Sequence, residues 1–126
     1  KFHSVMKNLD WEIKIEDQGA GTILCAFDDL NDPGSKGFTV GKRPRLFVVR
    51  MGKTIFSYVN ICPHRGTPLD LKPNMFLTRN HDAILCATHG AIFTIQNGIC
   101  KQGPCKGMLL TPIETKLENG FVKLTN

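Results

Sequence analysis

The chain has 126 residues, 41% of them hydrophobic, which suits one domain with a core of its own. Residues 1–32 hold three lysines against seven acids and residues 33–126 hold thirteen bases against four acids, but no basic run is dense enough to indicate a nucleic-acid tail. No uninterrupted apolar run, including the one at 46–49, approaches the roughly 20 residues that span a bilayer. We therefore expect a single soluble domain over residues 1–126, with neither membrane nor nucleic acid as a partner.

Short segments of β-branched and aromatic residues alternate with turn residues along most of the chain, which is typical of an all-β sandwich or barrel. Residues 1–20 match no motif, and we expect an N-terminal extension or a first strand there. Residues 23–27 predict a strand that ends in the polar turn 28–34, with one helical turn in it. Residues 38–40 predict a further short strand.

Four hairpins are predicted in the rest of the chain, because each joins two apolar segments across a short polar turn. Asn119-Gly120 is the strongest of these turn signals. The paired segments are 45–50 with 54–60, 75–78 with 83–86, 91–95 with 99–101, and 112–118 with 121–124.

Five cysteines are an odd number, and their spacing with histidine is more typical of metal binding in a reducing compartment than of a secreted disulfide framework. Cys62-Pro63-His64 and Cys86-Ala87-Thr88-His89 each place a thiolate and an imidazole on a loop that follows a predicted strand. Two thiolates on one iron and two imidazoles on the other satisfy both irons of a [2Fe-2S] cluster, whereas zinc would take all four donors on one ion. The residues predict a metal site at Cys62, His64, Cys86 and His89. This site could hold either a [2Fe-2S] cluster or a zinc ion.

The residues around these motifs resemble the paired cluster-binding boxes of the Rieske family. The resemblance implies an all-β Rieske (ISP-like) fold, an antiparallel β sandwich with a small subdomain of two cluster-binding loops, and one [2Fe-2S] cluster as cofactor. Within that fold, Gly66 and Gly90 would let the loops close over the cluster, and Pro104 would cover it as a lid. The positions that carry the resemblance are 62–66, Leu69, 86–90, Phe93, 97–98, 103–105, 110–117 and 120–122.

The resemblance also implies a low reduction potential. High-potential Rieske proteins carry a cysteine in each box, joined as a disulfide, where this chain has Thr67 and Thr88. They also donate hydrogen bonds to the cluster from a serine and a tyrosine, where this chain has Ala91 and Phe93. We therefore expect a potential of roughly −150 to −50 mV, at the lower end of the Rieske range.

The function that the resemblance implies is one-electron transport, as in the Rieske ferredoxins of oxygenase systems. Such a carrier would be a cytoplasmic monomer that is not itself an enzyme, and it would connect a flavin-dependent reductase to a terminal oxygenase or another redox protein with an acidic docking face. A complete Rieske oxygenase needs a second iron held by two histidines and a carboxylate, for which only His3 and His81 remain. An oxygenase fragment, the small subunit of a nitrite reductase, and a binding module without redox activity stay open as alternatives.

We expect the other cysteines, histidines and large aromatic residues to have structural roles and no part in the chemistry. They are Cys25 as an inert buried thiol, Cys100 and Cys105 as thiols that could pair, His3 and His81 as surface residues, and Trp11 and Tyr58 as packing residues.

Overall fold

The computed structural model describes residues 13–126, so that His3 and Trp11 lie outside the described residues. This part of the chain contains ten strands and one 3₁₀ turn at Phe27–Asp29, which confirms the all-β prediction. None of its helical segments is long and apolar enough to cross a membrane. The strands are β1 (Ile13–Ile15), β2 (Ile23–Ala26), β3 (Gly34–Val40), β4 (Leu46–Met51), β5 (Thr54–Val59), β6 (Ile84–Cys86), β7 (Ala91–Phe93), β8 (Cys100–Gln102), β9 (Thr115–Glu118) and β10 (Phe121–Leu124).

The strands form three sheets. The first has the order β1-β3-β4-β5, with β1 parallel to β3 and the other pairs antiparallel. The second and third have the orders β2-β10-β9 and β6-β7-β8 and are antiparallel throughout. All four predicted hairpins are present, and the one that leads into the second Cys-His motif is reduced to a bridge between Leu77 and Ile84.

The start of β3 was predicted wrongly. The strand begins at Gly34, inside the segment predicted as a turn, and Gly34 to Phe38 pair with β4. The partner strand imposes this pairing on residues of weak strand propensity.

β4 is buried on both of its faces. Phe47 and Val49 point into a core cluster that also contains the third sheet and the two cysteines of the motifs, while Leu46 and Val48 point into a second cluster with β2 and β10. A strand that is covered on both faces needs apolar residues at successive positions. The apolar run 46–49 therefore belongs to the strand that joins the two core clusters.

Tyr58 on β5 lies in the first of these clusters, where its hydroxyl donates a hydrogen bond to the backbone oxygen of Ile95. Burial raises the pKa of the phenol, which keeps it protonated as a donor at neutral pH. Tyr58→Phe leaves the buried Ile95 carbonyl without this donor, and we expect a loss of about 1–3 kcal/mol, measured as a lower midpoint of chemical denaturation. An unchanged midpoint would contradict the structural role assigned to the hydroxyl.

Candidate functional site

The two Cys-His motifs fold into matching loops. The N–H of Gly66 donates to the carbonyl oxygen of Cys62 over 2.7 Å, and the N–H of Gly90 donates to that of Cys86 over 2.9 Å. Gly66 and Gly90 have φ angles of +73° and +77°, a region that other residues rarely adopt, and their predicted role in closing the loops over a cluster stays a prediction. Each loop is thus a tight turn closed on its own cysteine.

Backbone hydrogen bonds also hold the loops next to each other. The N–H of Cys62 donates to the carbonyl of Thr67 over 2.7 Å, which closes the first loop, and the N–H of Ala87 in the second loop donates to the carbonyl of Leu69 over 2.9 Å. Residues that are far apart in sequence are brought together in this way.

The four predicted ligand side chains form two pairs, one of cysteines and one of histidines. Cys62 and Cys86 are both 0% exposed and belong to the same core cluster, and burial together with the interaction with Cys86 raises the pKa of the Cys62 thiol. The rings of His64 and His89 lie nearer the surface, with centroids 5.0 Å apart and an interplanar angle of 88°. Among residues 13–126, no three His, Cys, Asp or Glu side chains form a group that could hold one metal ion. The structure therefore shows two pairs, with Cys62 and Cys86 in the interior and His64 and His89 nearer the surface.

The surroundings of these groups set their protonation. Burial, followed by the positive charge of Arg65 and by His89, lowers the pKa of the His64 imidazole, which favours the neutral ring that binds metals. Burial raises the pKa of the Cys62 thiol, and the backbone N–H of His64 partly offsets this effect. Metal binding to such a thiol must displace its proton.

Two buried side-chain atoms of the first loop have no hydrogen-bond partner, and they are the only such atoms in the part of the chain that the structure describes. They are Nδ1 of His64 and Oγ1 of Thr67. Because buried polar atoms nearly always have a partner, an unpartnered imidazole nitrogen near two buried sulfurs fits a loop built to hold a metal group. The donors are of the thiolate and imidazole types that a Rieske cluster requires.

Asn60 fixes the base of the first loop, and sequence analysis missed it. Its side-chain oxygen accepts a hydrogen bond from the N–H of Leu69 over 2.8 Å, and its amide donates to Asp70 over 3.1 Å. Asn60 and Asp70 are 2% and 8% exposed. The residue two positions before Cys62 is thereby joined to the far end of the loop, which no local sequence signal indicates.

The turn after β8 packs against the second loop. A Cβ atom added to Gly103 would lie 2.9 Å from the Cα of Ala91, so only glycine permits this close approach. Pro104 follows on the same turn and is exposed, and its role as a lid stays a prediction.

The three cysteines outside the motifs are buried free thiols. Burial raises the pKa of Cys25 to about 11, in the core cluster remote from the loops, as expected of an inert thiol. The sulfurs of Cys100 and Cys105 are 3.0 Å apart, with Cys105 donating to Cys100. Burial, followed by this contact, raises the pKa of Cys105 to about 12.

The surface beside the loops is basic and partly apolar. Leu71 and Met75, which are 64% and 58% exposed, line a groove whose wall includes Ala87 of the second loop. We call this the Leu71 groove, and its lining residues are Leu71, Lys72, Met75, Leu77, Leu85 and Ala87. The exposed cations that lie near the four predicted ligands in sequence are Arg65, Lys72, Arg79, Lys101 and Lys106.

Residues 21–114, which include both loops, match the family model of the Rieske [2Fe-2S] domain. This chain belongs to the Rieske [2Fe-2S] domain family. The family inferred from the motifs is confirmed, and the cofactor is a [2Fe-2S] cluster rather than zinc. No protein with curated annotation matches the chain.

Solved structures share the Rieske fold of this chain. The ferredoxin of Sphingomonas yanoikuyae B1 is 24% identical, with a TM-score of 0.70, over 84% of this chain and 98% of that one. The ferredoxin of carbazole 1,9a-dioxygenase from Nocardioides aromaticivorans IC177 is 19% identical, with a TM-score of 0.70, over 85% of this chain and 98% of that one. A chain in the reduced complex between oxygenase and ferredoxin in carbazole 1,9a-dioxygenase is 14% identical, with a TM-score of 0.71, over 98% of this chain and 34% of that one.

Proposed function

We propose that this Rieske protein is a one-electron carrier in which Cys62, His64, Cys86 and His89 hold the cluster. The observation that carries the proposal is the arrangement of the four side chains, with two cysteines buried in one core cluster and two imidazole rings together near the surface. The unpartnered Nδ1 of His64 supports the same ligand set.

When bound, a Rieske cluster accepts one electron and returns it. The residues of this chain determine how it does so. Cys62 and Cys86 would hold the thiolate end of the cluster in a core that excludes water. His89 is exposed and His64 half-buried, so the imidazole end would be the one that faces a redox partner. The tight turns at Gly66 and Gly90 keep both loops in place during the change of charge.

The partners that we propose are a flavin-dependent reductase and a terminal oxygenase, or another redox protein with an acidic face. The exposed cations beside the loops would steer such a partner, and the Leu71 groove offers apolar contact next to the second loop. The five free cysteines support a reducing compartment, which we propose to be the cytoplasm.

The proposed function can be tested with the purified protein and reduced flavin mononucleotide as the electron donor. We expect uptake of one electron per molecule, a Rieske-type EPR signal, and return of the electron to cytochrome c without loss of iron. Protein that contains iron and sulfide but does not exchange electrons with either reagent would argue for a cluster-stabilised binding module instead.

His64→Cys tests the ligand set. We expect the variant to retain a cluster whose potential falls towards the value of about −400 mV found with four thiolates, because a thiolate adds negative charge where the imidazole was neutral. A redox titration followed by EPR measures the change, and His81→Cys, at an exposed histidine outside the site, is the matched control. An unchanged potential in His64→Cys would show that His64 is not a ligand.

A second candidate function is that of a domain or subunit in a larger Rieske oxidoreductase. It is favoured by the match of nearly the whole chain, 98%, to about a third, 34%, of a chain in the carbazole dioxygenase complex. The native mass of the protein isolated from its source cells separates the two candidates, because a carrier would be isolated as a single small chain.

A further inference from the structure

We infer that the hydroxyl of Thr67 donates a hydrogen bond to a sulfur atom of the cluster and raises its reduction potential. The inference rests on the proposed ligand set.

The first observation is the position of the hydroxyl. Oγ1 of Thr67 is buried and has no hydrogen-bond partner, and the same holds for Nδ1 of His64. A hydroxyl that is removed from water without a partner bears its full desolvation cost, so a folded protein rarely leaves one in this state. Both unpartnered atoms of the described residues belong to one six-residue loop. One cluster bound by this loop would therefore give both atoms a partner.

The second observation is how the backbone holds Thr67. Its carbonyl oxygen accepts the N–H of Cys62 over 2.7 Å, so the threonine is tied directly to the proposed ligand. Leu69, two residues further on, is fixed by Asn60 and by the second loop. The backbone that carries the hydroxyl is therefore held next to Cys62, one of the proposed ligands.

The third observation is the lack of other donors at two nearby positions. Ala91 and Phe93 are fully buried and have no side-chain donor. A hydroxyl that donates to sulfide or thiolate sulfur stabilises the reduced cluster more than the oxidised one, because the reduced cluster carries more negative charge. The Thr67 hydroxyl could thus donate a hydrogen bond of the kind that the side chains of Ala91 and Phe93 cannot donate.

The second loop contains a natural control. Thr88 stands between Cys86 and His89, but it is exposed, so its hydroxyl can bond to water. Thr67→Val replaces the buried hydroxyl by a methyl group of nearly the same size, Thr67→Ser restores the hydroxyl, and Thr88→Val makes the same change at the exposed position.

The experiment is a redox titration of the four cluster-loaded proteins, with the unsubstituted chain as the fourth. We expect a shift of the midpoint potential to more negative values in Thr67→Val, and values close to the unsubstituted protein in Thr67→Ser and Thr88→Val. In D₂O, the reduced unsubstituted protein should show an exchangeable deuteron coupled to the cluster in pulsed EPR, and Thr67→Val should lose it.

An unchanged potential together with an unchanged deuteron coupling in Thr67→Val would overturn the inference. If the valine variant does not load the cluster, Thr67→Ala is titrated in its place with the same expectations. A failure of this inference leaves the carrier function intact as long as the unsubstituted protein shows the Rieske signal, whereas absence of iron and sulfide from that protein would overturn both.

Discussion

Cys62→Ala should abolish the cluster. The substitution removes one of the two buried cysteines that share a core cluster, and no other side chain of the first loop supplies a thiolate. Because an iron that loses one of its two protein thiolates is left with an incomplete coordination shell, we expect iron and sulfide contents near zero and loss of the visible absorption. Iron, sulfide and absorbance per mole of folded protein measure the effect.

Cys25→Ala is the matched control for this experiment. Cys25 is also a buried cysteine, 8% exposed, but it belongs to the core cluster formed with β2 and β10. We expect a lower stability and a full cluster content in this variant. Equal loss of iron in both variants would show that Cys62 acts through the stability of the fold and not as a ligand.

Phe76→Ala should be the most destabilising single truncation near the site. The ring of Phe76 is fully buried and stacks on Phe47 of β4, with centroids 4.3 Å apart and an interplanar angle of 2°. Removing a buried phenyl ring leaves a cavity, and the usual cost is about 3–5 kcal/mol. The midpoint of chemical denaturation measures this loss.

The segment that carries Phe76 lies between the two ligand loops in sequence, so the truncation should also weaken the hold on the cluster. We expect faster loss of the visible absorption when an iron chelator is added. Phe121→Ala removes the same ring at a position that is 39% exposed, and it should change stability and chelator resistance much less. Similar effects of the two truncations would contradict the central place given to Phe76.

Turn chemistry made much of the fold predictable from sequence. Asn119 and Gly120 have φ angles of +54° and +82°, as an Asn-Gly hairpin turn requires, and the hairpin lies where the sequence places it. The beginning of β3 could not be predicted in the same way. Gly34 and Gly37 give no strand signal of their own, and the strand exists because β4 pairs with it.

The candidate site was likewise predictable only where its features are local in the sequence. The two Cys-His motifs were recognisable because ligand identity and spacing are local properties, and the structure pairs the two cysteines in the core and the two histidines near the surface. The roles of Asn60 and Thr67 depend on burial and on hydrogen bonds made or not made in three dimensions. Such properties have no local pattern, which is why the sequence assigned no role to Asn60 and marked Thr67 only as the replacement of a cysteine.

The two-sided burial of β4 has a consequence for cooperativity. A strand whose alternate side chains belong to different core clusters cannot leave one without also leaving the other, so neither half of this molecule has an independent melting transition open to it. Amide protons in the middle of that strand should exchange with deuterium only when the entire domain opens, and they would be the slowest in the protein. A destabilising substitution in either cluster would then lower the stability of the whole domain.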